Sequence, residues 1–317
     1  MPKTKTSEGT ENVQVAVEPI KEETAQADEV SKNTPLEKFL EKNDVLIMLY
    51  PKDENGYFMQ SIDQNDETLV YNAVTKQNSS KKSLLILLDT SGGNVYSAVK
   101  IMDLLRSKYK EITIAVPHVA KSSGTMMCCG ADKIIMSPIS ELGPLDKPMV
   151  HPDNEMARIS ALDIVKSIDG MLDTAFERQK EFAEKLNTDY GISIQKSLDI
   201  ASKTITGLVS PMLCREDVKI YNQAKRLLVI AENYGQEFLN QNMLKTIKNK
   251  NLRQRMAGVM IRRLIWLYPD HSFAIRRNEL KDWFFIVEFS EKIEIWPELW
   301  KEYEDNRSNK SKNIKFI

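Results

Sequence analysis

The sequence predicts an α/β fold with parallel strand pairs, followed by a mainly helical C-terminal region. Three observations carry that prediction. Short runs such as Val45–Tyr50, Ser83–Leu88 and Glu111–Val116 are almost continuously apolar, the pattern of strands buried on both faces of a parallel sheet. They alternate with segments of helical spacing, Asp66–Lys76 and Val95–Ser107. From about residue 160 onward the periodicity becomes helical and stays so.

The elements follow in order. Residues 1–34 are rich in Glu, Lys, Thr and Ala and nearly devoid of large apolar side chains. Such a stretch cannot bury enough surface to offset its ordering entropy, so a disordered polar tail is expected. Order begins with a short helix from Pro35 through Leu40, then the strand at Val45 and a turn at Asp53-Glu54-Asn55-Gly56. After the helix at Asp66, the second strand runs straight into Asp89-Thr90-Ser91-Gly92-Gly93-Asn94 and the helix beginning at Val95. The third strand ends at Pro117, and a second tight turn, Ala120-Lys121-Ser122-Ser123-Gly124-Thr125, feeds an apolar helix through Ala131. Ile134–Met136 is a further short strand. Ile159–Leu186, Ile192–Leu208, Asp217–Phe238 and Met243–Leu267 read as long amphipathic helices. The division expected is an α/β domain over 35–210 and a helical region over 211–305 with a short terminal α/β element. A frayed tail is expected over 306–317.

Composition narrows the function. Lys and Arg total 44 against 45 Asp and Glu, for a net charge of −1. That balance argues against nucleic acid as a partner, since phosphate binding leaves a basic excess. The basic stretch over 245–263 reads as a solvated helix face or a docking surface for an acidic partner. Cys128, Cys129 and Cys214 have no zinc-site spacing, so no metal or other cofactor is expected and the thiols suit a reducing compartment. No apolar run reaches the roughly 18–20 residues that span a bilayer. With no secretory leader pattern either, a cytoplasmic protein without a transmembrane segment is expected.

Chemistry concentrates in the two tight turns. Gly92-Gly93, between a buried strand and a helix, lets backbone N–H groups approach an anion or an oxyanion closely. Tyr96 stands where a dinucleotide fingerprint needs its third glycine, and no Gly-Lys-Ser/Thr follows, which removes both nucleotide motifs. Ser122 sits between a strand and an apolar helix, a junction that exposes a hydroxyl at a positive helix end. The same position also suits an ordinary helix cap for Ser122 or Ser123.

Taken together, the Thr90–Val95 and Ala120–Thr125 turns resemble those of the Clp-like serine peptidases. The likeness sharpens to the serine dehydrogenase proteinase family through Ala131-Asp132-Lys133-Ile134-Ile135-Met136 and Ser140-Glu141-Leu142-Gly143-Pro144-Leu145-Asp146. Tyr268-Pro269-Asp270-His271-Ser272-Phe273-Ala274-Ile275 is similar to that family's C-terminal Pro-x-His-Gly-Phe-x-Ile stretch. Two positions depart from the pattern: Lys147 follows Asp146 where the family has proline, and Ser272 follows His271 where it has glycine.

The resemblance implies a Clp/crotonase-like ββα spiral over 35–210, acting as a serine-type endopeptidase on a peptide or protein substrate. It also implies a homo-oligomer. It assigns Ser122 as nucleophile, with Ser123 as rival, and the backbone N–H groups of Gly93 and Ser123 as oxyanion donors. The base stays open. Lys166 falls in the downstream window where related enzymes place a lysine, and a lysine base must be desolvated to act neutral. His151 lies near the Clp histidine spacing. Asp146 is a candidate orienting carboxylate for either. Lys121 adjoins the serine, His118 is expected to aim elsewhere, and His271 is expected to play a structural part. Two other activities share these features: a crotonase-like acyl-CoA enzyme and a catalytically weak Clp-like scaffold.

Overall fold

The computed structural model describes residues 34–146, 148–151, 154–307 and 309–317, without the side chains of 148, 150, 151 and 154–158. The tail expected over residues 1–34 lies outside the described residues up to position 33, as does Lys147. Thr34 to Ile317 form one compact unit.

Helix α1 (Pro35–Leu40) opens on a capping box: Thr34 Oγ1 accepts the Glu37 N–H, and Glu37 accepts the Thr34 N–H. Then come β1 (Asn43–Leu49), α2 (Gln64–Gln77), β2 (Ser83–Asp89), α3 (Val95–Lys108) and β3 (Glu111–Val116). A two-residue β4 (Val119–Ala120) leads into α4 (Ser123–Cys129), β5 (Lys133–Met136) and β6 (Glu141–Leu142). A hairpin, β7 (Pro148–His151) with β8 (Asn154–Ser160), precedes the helices α5 (Ala161–Tyr190), α6 (Ile194–Leu213), α7 (Val218–Gln241) and α8 (Lys250–Trp266). The chain closes with β9 (Ile275–Arg276), α9 (Arg277–Asp282), β10 (Val287–Phe289), α10 (Trp296–Arg307) and β11 (Asn313–Phe316).

The main sheet runs in the order β10-β5-β3-β2-β1-β11, and all its neighbours are parallel except β1 with β11. Helices cover both faces, which explains the uninterrupted apolar strands. The strands divide their side chains by alternation. Leu46, Met48, Leu84, Ile86 and Leu88 face the core shared with α3, α4, α7 and α8. Val45, Ile47, Leu49, Leu85 and Leu87 face the second core, where Ile295, Leu299 and Tyr303 pack with α1 residues. A small sheet, β4-β6-β9, gathers the Ser122 turn, the Ser140–Asp146 signature and the 268–275 stretch.

Three sequence expectations give way here. The 306–317 tail, expected to fray, ends in β11, which extends the main sheet beside β1. Ile314 and Phe316 pack against the first core, and Lys312 bridges Asp63 and the buried Asp66, so packing and charge hold the end of the chain. The 211–305 region, expected as a separate helical region with a short terminal α/β element, packs α7 and α8 into the first core and lends β10 to the main sheet. The helix expected over Met243–Leu267 starts only at Lys250, where the Asn249 side chain accepts the Leu252 N–H as its cap. Among the described residues no helix is long and apolar enough to cross a membrane.

Candidate active site

The two turns singled out in the sequence lie against each other. Thr90 donates its N–H to Val119 O and accepts from the Lys121 N–H, which zips the end of β2 to β4. Behind this seam the contact is very tight. A Cβ on Gly92 would lie 2.5 Å from Lys121 O and 3.0 Å from Ser123 N, and one on Gly124 would lie 2.7 Å from Thr90 Cγ2. Gly93 passes equally close to Ile62, whose N–H donates to Gly92 O while its carbonyl accepts from the Asn94 N–H. Glycine is required at 92 and 93, with φ of 100° and 142°.

Ser122 occupies the apex between β4 and α4 with φ 50° and ψ −112°, a region that non-glycine residues avoid. Such strain at a strand-to-helix apex turns a side chain out of the sheet. Its hydroxyl donates to the main-chain carbonyl of Asp146 at 3.0 Å, and the residue is 7% exposed. Ser122 forms no side-chain cap bond to α4. The hydroxyl of Ser123, the rival candidate, donates to Gly93 O at 2.7 Å and ties the two turns together. Among the described residues the N–H groups of Gly93 and Ser123 have no acceptor. Two free donors beside a strained serine are what an oxyanion requires.

The space around Ser122 is small. Val95, Met126, Leu145, Asp146 and, from α7, Leu227 and Ala231 enclose about 10 Å³ beside Ser122 and Ser123. That is at the lower limit for a single water. A larger open cleft of about 1030 Å³ lies elsewhere, lined by Lys52, His118, Trp300, Tyr303 and Arg307. His118 belongs there, with Nδ1 3.2 Å from Lys52 Nζ, and does not line the Ser122 cavity. Burial and the Lys52 charge both lower the pKa of His118. Cys128 and Cys129 are buried in the last turn of α4; burial pushes the Cys129 thiol up to about 12 and Cys128 upward as well, so neither serves as a thiolate.

The candidate bases are distributed differently. Lys166, near the start of α5, donates Nζ to Tyr268 O at 2.6 Å. Lys121 pairs with Glu141 at 2.7 Å and donates to Ser272 O at 2.9 Å. The backbone of His151 lies in β7, and its side chain is outside the described residues. Asp146 is buried; its Oδ1 accepts the Leu162 N–H at 3.0 Å, and its Oδ2 lies 3.6 Å from His271 Nδ1. That last contact is the one the sequence did not announce. His271 is separated from the signature by four long helices, and only its family-like neighbours marked it. Among the described residues no group of acidic, His and Cys side chains could hold a metal ion.

Part of the chain is similar to known proteins. Residues 38–173 match the profile of the ClpP-like SDH-type serine proteinases. A stretch of 88 residues is 34% identical to an uncharacterized protein, MJ0137, of Methanocaldococcus jannaschii, covering 28% of each chain. A stretch of 76 residues is 34% identical to the probable protease SohB of Haemophilus influenzae, covering 23% of this chain and 22% of that one. The alignments thus span about a quarter of the length of these curated relatives. Among solved structures, a serine-to-alanine mutant of the 1510-N membrane-bound stomatin-specific protease aligns over 51% of this chain and 72% of its own. That alignment has 16% identity and a TM-score of 0.30.

Proposed function

From the premise that residues 38–173 belong to the ClpP-like SDH-type serine proteinase family, we propose that the protein hydrolyses peptide bonds through Ser122. The observation that carries the reading is the strained apex at Ser122, with the N–H groups of Gly93 and Ser123 unpaired among the described residues. The hydroxyl oxygen attacks the scissile carbonyl, forming an O–C bond and placing negative charge on the carbonyl oxygen. The N–H groups of Gly93 and Ser123 receive that charge. One such donor is worth roughly 10²–10³ in rate. The positive end of α4, whose first turn begins at Ser123, lies on the same side. As the intermediate collapses, the C–N bond breaks, the proton lost by the serine hydroxyl passes to the departing nitrogen, and an acyl-serine is left, which water hydrolyses to a carboxylic acid with return of a proton to Ser122.

The cavity bounded by α7 is too small for a peptide. On this reading the form described is closed, and substrate entry displaces the Leu227–Ala231 segment of α7.

The test is labelling of the purified protein with a fluorophosphonate probe beside Ser122→Ala and Ser123→Ala. Loss of label in Ser122→Ala, with reduced but measurable label in Ser123→Ala, is the expected result. A folded wild-type protein that takes no label overturns the reading and favours a scaffold or an acyl-CoA enzyme.

A further inference from the structure

We propose that the open cleft lined by Lys52, His118, Trp300, Tyr303 and Arg307 binds an organic carboxylate, one acid group joined to an aromatic or apolar body. A free aromatic or aliphatic acid has that chemistry, and so does the carboxyl end of a peptide. Such binding needs no activity at Ser122.

The cleft lies where three neighbouring parallel strands end. Lys52 follows β1, Asp89 ends β2 and His118 follows β3. Loops at the carboxyl ends of parallel strands form the usual ligand crevice of an open α/β sheet. Helix α10 adds Trp300, Tyr303 and Arg307 to the lining. The volume, about 1030 Å³, is that of a small-molecule site, and no lining residue is shared with the cavity beside Ser122.

A buried carboxylate holds a cluster of donors in place there. Asp89 is 1% exposed; one oxygen accepts the Val119 N–H at 2.9 Å, and the other pairs with Lys52 Nζ at 2.7 Å. Lys52 Nζ also lies 3.2 Å from His118 Nδ1 and 4.4 Å from the centre of the Phe58 ring. An ammonium only donates, so Nδ1 accepts and the imidazole carries its proton on Nε2. Burial first, then the Lys52 charge, lower the pKa of His118 against the pull of Asp89 and Glu141, which favours that neutral form. The ammonium, the imidazole N–H, the Tyr303 hydroxyl and the Arg307 guanidinium are thus all available to an anion. Among the described residues Arg307 and Lys310, both exposed at the cleft, form no ion pair.

The rest of the lining sets the class of anion. Asp53 and Glu54 also border the cleft, and Asp53 is fixed in its turn by the N–H groups of Asn55 and Tyr57. Two carboxylates there repel a polyanion such as a triphosphate, whereas Lys52, Arg307 and Lys310 suit a single acid group. Arg307 can meet a carboxylate through two parallel N–H bonds. Trp300 and Tyr303, with ring centroids 5.3 Å apart, offer an apolar surface to the body of the ligand.

Isothermal titration calorimetry of the full chain tests this with four probes: N-acetylphenylalanine, its amide, inorganic triphosphate and an acetylated tetrapeptide ending in phenylalanine. The acid is expected to bind with a dissociation constant on the order of 1 mM, the scale for a ligand of its size. Its amide, which lacks the charge, is expected to bind roughly 10–100-fold more weakly. The double variant Arg307→Gln, Lys310→Gln is expected to lose affinity for the acid by a similar factor. Both side chains are exposed, and the urea midpoint reports that the variant is folded. A tetrapeptide that binds severalfold more tightly than the acid identifies a peptide end as the ligand; equal or weaker binding identifies a free acid. No binding of the acid, equal binding of acid and amide, or tighter binding of triphosphate overturns the proposal. So does a folded double variant that binds the acid as wild type does, which puts the acid elsewhere, the Ser122 cavity included. Fluorophosphonate labelling enters none of these readouts, so a failed peptidase reading leaves them standing.

Discussion

A Cβ on Gly92 would stand 2.8 Å from the Cβ of Ser122. The first glycine turn is thus the floor under Ser122, and its missing side chain is what lets the two turns close. Gly92→Ala meets both the Lys121 carbonyl and a φ of 100°. The strained backbone alone costs about 1–3 kcal/mol. A displaced serine loses rate as well, on the order of 10²-fold for a shift of about 1 Å. Urea unfolding together with labelling rates is expected to show both losses; an alanine variant that labels normally would mean the turns need not touch.

Leu227 and Ala231 of α7 close the space over Ser122. Leu227→Ala widens it by removing a half-buried side chain from the first core. Stability is expected to fall by about 1–3 kcal/mol, while labelling by a bulky probe speeds up severalfold. An unchanged rate would show that α7 already stands open in solution.

Lys52 Nζ lies 2.7 Å from the buried Asp89 carboxylate, whose other oxygen accepts the Val119 N–H at the base of the Ser122 turn. Burial raises the pKa of Asp89 even against the attraction of Lys52. Its contribution to stability is therefore full below the unfolded value of about 3.9 and is lost as pH rises through the folded one. Lys52→Met raises that folded pKa further. The variant should be nearly as stable as wild type in acid and fall behind toward neutral pH, by roughly 3–5 kcal/mol for a buried charge left alone. Urea melts across pH check this; a gap independent of pH would refute it.

Asp132 shows the opposite sign. Burial opposes its ionisation, but hydrogen bonds from Lys245, the Ile112 N–H and Arg106 outweigh it and hold the pKa below the ordinary carboxylate value. Its stabilisation is present above the unfolded pKa and disappears as pH falls through the lower folded one. Asp132→Asn is expected to lose about 1–3 kcal/mol at neutral pH and to converge with wild type in acid. Thermal melts at several pH values would show the convergence, and parallel curves would remove Asp132 from the acid response.

Much of the fold was legible because it depends on local pattern. The strands β1, β2 and β3 announce themselves as apolar runs, and the helices that follow them carry periodic apolar faces. The glycine turns and Ser122 were also legible, since backbone conformation and a short motif specify them. β11 was not, although Ile314 and Phe316 alternate as a strand should. Four residues in a polar tail carry too weak a signal alone, and only the edge of β1 and the acidic pair Asp63 and Asp66 give them a place.

From the sequence alone follow an α/β sheet with parallel strands, two tight glycine-bearing turns and a serine at a helix entrance. Only the tertiary structure decided which groups meet that serine. Lys166 falls in the expected downstream window and donates to Tyr268 O, while His271, far along the chain, arrives 3.6 Å from Asp146. The physical reason is that spacing constrains side chains only within one element or one turn. Contacts between distant segments depend on how the β4-β6-β9 sheet and the packing of α7 and α8 fold the chain back upon itself.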